Sequence, residues 1–301
     1  MILQKTPAAR ITSNSTQRAF EAIAPLLWRV PGLSERVAAR AFLTPFGRLR
    51  SSERVPPRAR GERVTLGTAR PITAQAYGAG RPVFVVHGWG GSALQMSAFV
   101  DALVERGYRA VTFDLPAHGE SRERQTNVVE CAEVLLALAR HFGAPAGVIA
   151  HSFGAAVAVL AQQRGLGAGA LTFVAPLPSL EYGVHQFAAR AHLPVAVMDR
   201  AARLIEADLG IERRAIELCS VGSELHTPLL CVHDQDDTTV AIEASRRVVD
   251  SWPDARLLET AGLGHSRLLR DPTVVRSAVA FLEQGHRERP SDLERALSCD
   301  C

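Results

Sequence analysis

The sequence predicts an α/β chain: a mostly parallel, doubly wound sheet with a helical insertion and a helical arm ahead of it. Three observations predict this class. From residue 64 onward, short apolar runs alternate with helix-patterned segments, the arrangement that builds parallel strands covered on both faces. The runs are continuous rather than alternating, as in "PVFVV" and "GVIA", which suits strands buried on both sides. Between Pro176 and Pro228 the alternation stops and only helical pattern continues. A length of 301 residues with 47% hydrophobic content suffices for one large domain carrying an insertion.

Each element follows from local chemistry. In residues 1–63, Phe20, Ile23, Ala24 and Leu27 recur at helical spacing until Pro31-Gly32. A second helix is expected from Ser34 to Leu43. The stretch "GRLRSSERVPPRARGER" then places Arg48, Arg50, Arg54, Arg58, Arg60 and Arg63 around two prolines and reads as a basic linker. It either rests in solvent over a packed arm or makes a weak contact with an anionic membrane surface or an acidic partner. The core is expected over 64–176 and 228–285. "RVTLGTA" and "PITAQAY" form two antiparallel strands. "PVFVVH", "RAVTFD", "AGVIAH", "ALTFVA", "TPLLCVHD" and "ARLLET" are the later strands. Helices are expected at Ala93 to Arg106, Val128 to His141, Phe153 to Gln163, Ala241 to Asp250 and Pro272 to Gln284. The interval 177–227 holds three helical segments, near Tyr182 to His192, Ala196 to Ala207 and Ile211 to Cys219. A helical insertion at one end of a sheet is a natural lid. Residues 286–301 form a tail.

Composition narrows the function classes. A net charge of +3 and 22% charged residues, with no aromatic-plus-basic cluster, give no reason to expect nucleic acid. "MILQKTPAAR" has no apolar run of signal-peptide type, and no stretch reaches membrane-spanning length. The cysteines are odd in number and scattered (Cys131, Cys219, Cys231, Cys299, Cys301), which fits a reducing, cytoplasmic setting better than a disulfide framework. The terminal C-x-C has no partner pair and no His-x-x-x-His occurs, so no metal site is expected.

The chemistry concentrates in "VIAHSFGAAVAVL", residues 148–160. A strand ends and a helix begins with almost no loop between them, and Ser152 sits at the junction. In a doubly wound sheet, ligands bind outside the carboxyl ends of the strands. A serine thrust out there meets a helix N-terminus, whose N–H groups favour developing negative charge. So tight a turn needs small residues two positions either side, here Ala150 and Gly154.

This segment resembles the nucleophile elbow of the α/β-hydrolase fold family, G-x-S-x-G, with alanine for the first glycine. Three further segments share the resemblance, each just after an expected strand. "VHGWGG", 86–91, is similar to the family's oxyanion segment, which implies N–H donors at Trp89 and Phe153. "FDLPAHGES", 113–121, is similar to the D-x-P/R-G-H-G-x-S segment, with Asp114, His118, Gly119 and Ser121 structural. "VHDQDDTTV" is similar to the segment carrying the triad acid; aligned on His233 and Val240, that acid is Asp237, with Asp236 the alternative. Here Asp234 replaces the usual glycine. "TAGLGHSRLL" places His265 where the family keeps its base. The chain order Ser, Asp, His is the family's own.

The resemblance covers residues 64–285 and implies an α/β-hydrolase fold with catalytic Ser152, Asp237 and His265. It implies a serine hydrolase acting on a small-molecule ester or thioester through an acyl-enzyme, with no cofactor. Acyl transfer, carbon–carbon bond hydrolysis, cofactor-free elimination and a non-catalytic binding protein stay open on the same fold. Epoxide hydrolases and haloalkane dehalogenases are disfavoured, because they carry aspartate where Ser152 stands. His151, beside the nucleophile, and Tyr182 and His185, in the lid interval, are candidate substrate contacts.

Overall fold

The computed structural model describes residues 30, 32–45, 56–67, 71–121 and 123–287, with side chains to residue 284. The expected helix around Phe20 to Leu27, most of the Arg-rich linker and Cys299 and Cys301 lie outside the described residues.

One eight-stranded sheet organises the chain. Its strands are β1 (Gly61–Leu66), β2 (Ile72–Tyr77), β3 (Pro82–Val86), β4 (Arg109–Phe113), β5 (Gly147–His151), β6 (Leu171–Val174), β7 (Leu229–Asp234) and β8 (Ala255–Thr260). They run in the order β1-β2-β4-β3-β5-β6-β7-β8. β1 and β2 are antiparallel and the remaining six are parallel. Successive side chains face opposite sides, and both sides are covered. In β3, Phe84 and Val86 enter one core while Val83 and Val85 enter the other. In β5, Val148 and Ala150 face the first core and Ile149 the second. This double burial is why these strands read as unbroken apolar runs.

The helices are α1 (Leu33–Phe42), α2 (Ser97–Glu105), α3 (Val128–Phe142), α4 (Phe153–Gln163), α5 (Leu180–Arg190), α6 (Val195–Leu209), α7 (Leu218–Gly222), α8 (Ile242–Ser251), α9 (Gly264–Arg267) and α10 (Pro272–Arg287). α2 and α10 cover one face, while α3, α4, α7 and α8 cover the other. The segment expected to be helical from Ala93 begins as a 3₁₀ turn, Ala93–Met96, before α2. The expected helix from Ile211 to Cys219 is broken into a 3₁₀ turn, Arg213–Ile216, and the short α7, because Glu217 takes an extended conformation between them. The linker's end is pinned to α2, where Asp101 Oδ1 accepts from the N–H groups of Arg58 at 2.9 Å and Ala59 at 3.2 Å.

A third, smaller core stands apart from the sheet. Ala38 of α1 packs with Val184 and Ala188 of α5 and with Val197, Met198, Ala201 and Ala202 of α6. These helices pack on one another through small and aliphatic side chains. Among the described residues no helix is long and apolar enough to cross a membrane.

Candidate active site

β5 lies near the middle of the sheet, between β3 and β6, and delivers Ser152 at its carboxyl end. The strand keeps regular register through Ala150, which pairs with Val86 and Phe173, so the alanine in the elbow is accommodated without a break. Ser152 takes φ 52° and ψ −117°. Such a backbone is strained for a non-glycine residue by about 1–3 kcal/mol, and it is what turns strand into helix within one residue. Gly154 makes the turn possible: a Cβ there would lie 2.9 Å from the carbonyl oxygen of His87 and 3.0 Å from that of Val86. Ser152 Oγ is not used as a helix cap. The N–H of Phe153, first residue of α4, has no acceptor among the described residues, nor has that of Trp89.

The loop after β3 approaches the elbow closely. A Cβ on Gly88 would come within 3.1 Å of Ser152 Cβ. His87 anchors this loop, with Nδ1–H donating to the Gly88 carbonyl at 2.8 Å and Nε2 accepting from Leu115 N–H at 3.0 Å. The loop after β4 is braced in turn. Asp114 accepts from Ala93 N–H at 2.8 Å and Glu120 N–H at 2.9 Å, and buried His118 donates from Nδ1 to the Pro116 carbonyl at 2.9 Å.

The other half of the site comes from β7 and β8. Asp237 Oδ2 accepts from His265 Nδ1 at 2.7 Å, and Oδ1 accepts from the N–H groups of Thr239 at 2.7 Å and Val240 at 3.0 Å. His233 Nε2 stands 3.3 Å from the same Oδ2. Burial alone would raise the Asp237 pKa. The His233 and His265 hydrogen bonds, the His265 charge and the Val240 N–H outweigh it and hold the carboxyl well below the usual carboxylate range. Asp236 is turned elsewhere: its Oδ2 accepts from Gly262 N–H at 2.7 Å.

Asp234 has a larger part than its place in the sequence suggested. It is fully buried and accepts four hydrogen bonds. Asp236 N–H (3.0 Å) and Gly264 N–H (2.8 Å) bond Oδ1, while Thr260 Oγ1 (2.6 Å) and Leu263 N–H (3.0 Å) bond Oδ2. Burial raises its pKa, but these bonds prevail and lower it below the ordinary value. One carboxylate thus ties the acid loop to the loop that carries His265. A bare Asp-for-Gly departure gave no sign of this.

Ser152 and His265 line one cavity of about 340 Å³, within the range usual for small-molecule sites. No hydrogen bond joins the two side chains; catalytic contacts of this kind often tighten only when substrate binds. Trp89, Phe153 and Tyr182 also line the cavity. Tyr182 O–H donates to the Thr239 carbonyl at 3.0 Å, linking α5 to the acid loop. His151 is elsewhere: buried behind the site, it donates from Nε2 to the His265 carbonyl at 3.1 Å, with ring centroids 4.8 Å apart. Burial, reinforced by the neighbouring His265, pushes its pKa down to about 3, so it stays neutral. His151 braces the loop that carries His265 and does not line the cavity. His185 does not line the cavity: it is exposed on α5, where its ring is drawn to a pair of carboxylates, 3.2 Å from Glu181 and 3.8 Å from Asp199.

Residues 83–278 match the family model described as the alpha/beta hydrolase family. None of the curated proteins compared by sequence matches the chain. Similar solved structures include a thermophilic esterase from Thermogutta terrifontis with malate bound (TM-score 0.59, 17% identity, 75% of this chain and 99% of that chain). A monoacylglycerol lipase from Paleococcus ferrophilus is also similar (0.56, 17%, 71% and 99%). So is an esterase of Pyrococcus furiosus (0.57, 19%, 77% and 98%). At such identities these likenesses speak to the fold. The family match spans well over half of the sequence, and the sheet order and the elbow at Ser152 agree with it: the chain belongs to the α/β hydrolase family.

Proposed function

We propose that this chain is a serine hydrolase that cleaves a small-molecule ester or thioester through an acyl-enzyme. The observation that carries the reading is the Asp237–His265 hydrogen bond of 2.7 Å, with His265 and Ser152 lining one cavity. Asp237 keeps the proton of His265 on Nδ1, which leaves Nε2 as the acceptor. Ser152 Oγ attacks the acyl carbon while His265 Nε2 takes its proton. The leaving alcohol or thiol departs with that proton, and a water, deprotonated by the same nitrogen, releases the acid and restores the serine. The Trp89 and Phe153 N–H groups stabilise the oxyanion, an effect of about 3 kcal/mol per donor. Esterases and a lipase among the similar structures agree with ester chemistry.

A fluorophosphonate probe tests the proposal. Labelling should map to Ser152, vanish in Ser152→Ala and weaken in His265→Ala. A wild-type protein that neither labels nor turns over any p-nitrophenyl ester overturns it.

A further inference from the structure

α1 is not a free arm. Its first turn is locked to the cap: the Glu35 carboxylate, 5% exposed, accepts from Arg200 Nε on α6 at 2.5 Å, from Gly32 N–H at 2.6 Å and from Ser34 Oγ at 2.9 Å. Its C-terminal end is locked to the sheet domain. Thr126 N–H donates to the Leu43 carbonyl at 3.0 Å, and Gln125 Nε2 to the Arg40 carbonyl at 2.8 Å. Phe42 sits where the two attachments meet, on the cavity wall.

Its ring joins two surfaces. It packs edge-to-face on Phe187 of α5 at 5.4 Å and lies nearly parallel to Trp89 at 6.5 Å. Trp89 packs edge-to-face on Phe153 at 5.0 Å, the residue after Ser152. An aromatic run therefore leads from the nucleophile to the cap, and Phe42 is the link that the N-terminal segment supplies.

We propose that α1 is the third helix of the cap and that Phe42 sets the length of the apolar chain the cavity accepts, an inference that rests on the ester-hydrolase reading above. The substrate class is an ester or thioester of a medium-length aliphatic acyl chain. The cavity, about 340 Å³, has the size usual for small-molecule sites, and its lining is largely apolar. A chain with its carbonyl at Ser152 runs along Trp89 and meets the Phe42 ring. Replacing that ring with a methyl group extends the cavity toward the space between Phe187 and Trp89. Enlarging it shortens the cavity.

The test is the kcat/KM profile over p-nitrophenyl acetate, butyrate, octanoate, laurate and myristate for wild type, Phe42→Ala and Phe42→Trp. The readout is the ratio of laurate to butyrate within each protein, so a change in folded fraction or overall rate cancels. Phe42→Ala should raise that ratio by at least about fourfold, the worth of one newly enclosed methylene, and Phe42→Trp should lower it by a similar factor. An unchanged ratio in both variants overturns the assignment. Calorimetric titration with straight-chain alkanoates of the same lengths reads chain preference without turnover. If wild type hydrolyses nothing yet Phe42 variants shift alkanoate preference, the hydrolase reading fails and the Phe42 assignment holds. If esters are cleaved with a profile indifferent to residue 42, the reverse is true.

Discussion

Replacing Asp234 with asparagine tests the most consequential polar contact outside the Asp237–His265 pair. The carboxylate accepts on both oxygens and its four donors sit on three segments, at Asp236, at Thr260 and on the Leu263–Gly264 turn. Asparagine is nearly isosteric but brings an NH₂ to one side. If the amide faces Thr260 and Leu263, the threonine hydroxyl can turn and accept, and only the Leu263 N–H is stranded. An unpaired buried donor costs about 1–3 kcal/mol, and each surviving bond loses its charge assistance. The sum is about 3 kcal/mol, below the 5–15 kcal/mol of a typical domain, so the protein should stay folded. Activity should suffer more. Leu263 and Gly264 precede His265, and slack of about 1 Å in a catalytic group can cost about 100-fold. Urea unfolding and kcat/KM on p-nitrophenyl butyrate check both numbers. A variant destabilised by that amount but within threefold of wild-type kcat/KM would refute a positioning role and leave Asp234 with stability alone.

Three further outcomes follow from the geometry. Asp237→Asn should cut kcat by about 10⁴-fold through the wrong His265 tautomer, whereas Asp236→Asn, which only weakens an exposed bond to Gly262, should cost less than about tenfold; the reverse order, read from steady-state rates, would move the proposed triad acid to Asp236. Asp234 and Asp237 both have depressed carboxyl pKa values in the folded protein. Their stabilisation is therefore fully present above the unfolded value near 3.9 and is lost as pH falls toward the folded values, so urea midpoints should drop below about pH 4, with a shallower decline in Asp234→Asn. His185→Ala removes an exposed side chain outside the cavity, and both kcat/KM and stability should stay within about 0.5 kcal/mol of wild type by the same assays.

The fold was legible because its signals are local. Doubly buried strands print unbroken apolar runs, and Gly154 and the short strand-to-helix junction mark the elbow at Ser152. The positions of Asp237 and His265 were legible for a related reason: both follow strand ends, where the sheet topology gathers them. What the sequence hid was long-range or depended on facing. His151 and Ser152 are adjacent in sequence, yet the elbow sends one side chain behind the site and the other into the cavity. Tyr182 and His185 lie three residues apart on α5, but one reaches the acid loop and the other an exposed acidic pair. Asp234 looked like a lost glycine because nothing local shows four donors converging on it. The pairing of α1 with α6 spans more than a hundred and fifty residues, as Glu35 and Arg200 show, and an amphipathic stripe does not name its partner.

That pairing bears on how the enzyme can be rebuilt. The cap is a composite of two stretches that the chain makes far apart, one ahead of the first strand and one between β6 and β7. A graft that moved only 177–227 into a relative would carry Arg200 without Glu35 and remove Ala38 from the core it shares with Ala201 and Ala202. Any chimera, truncation or circular permutation meant to alter selectivity has to treat 32–45 and 177–227 as a single cassette.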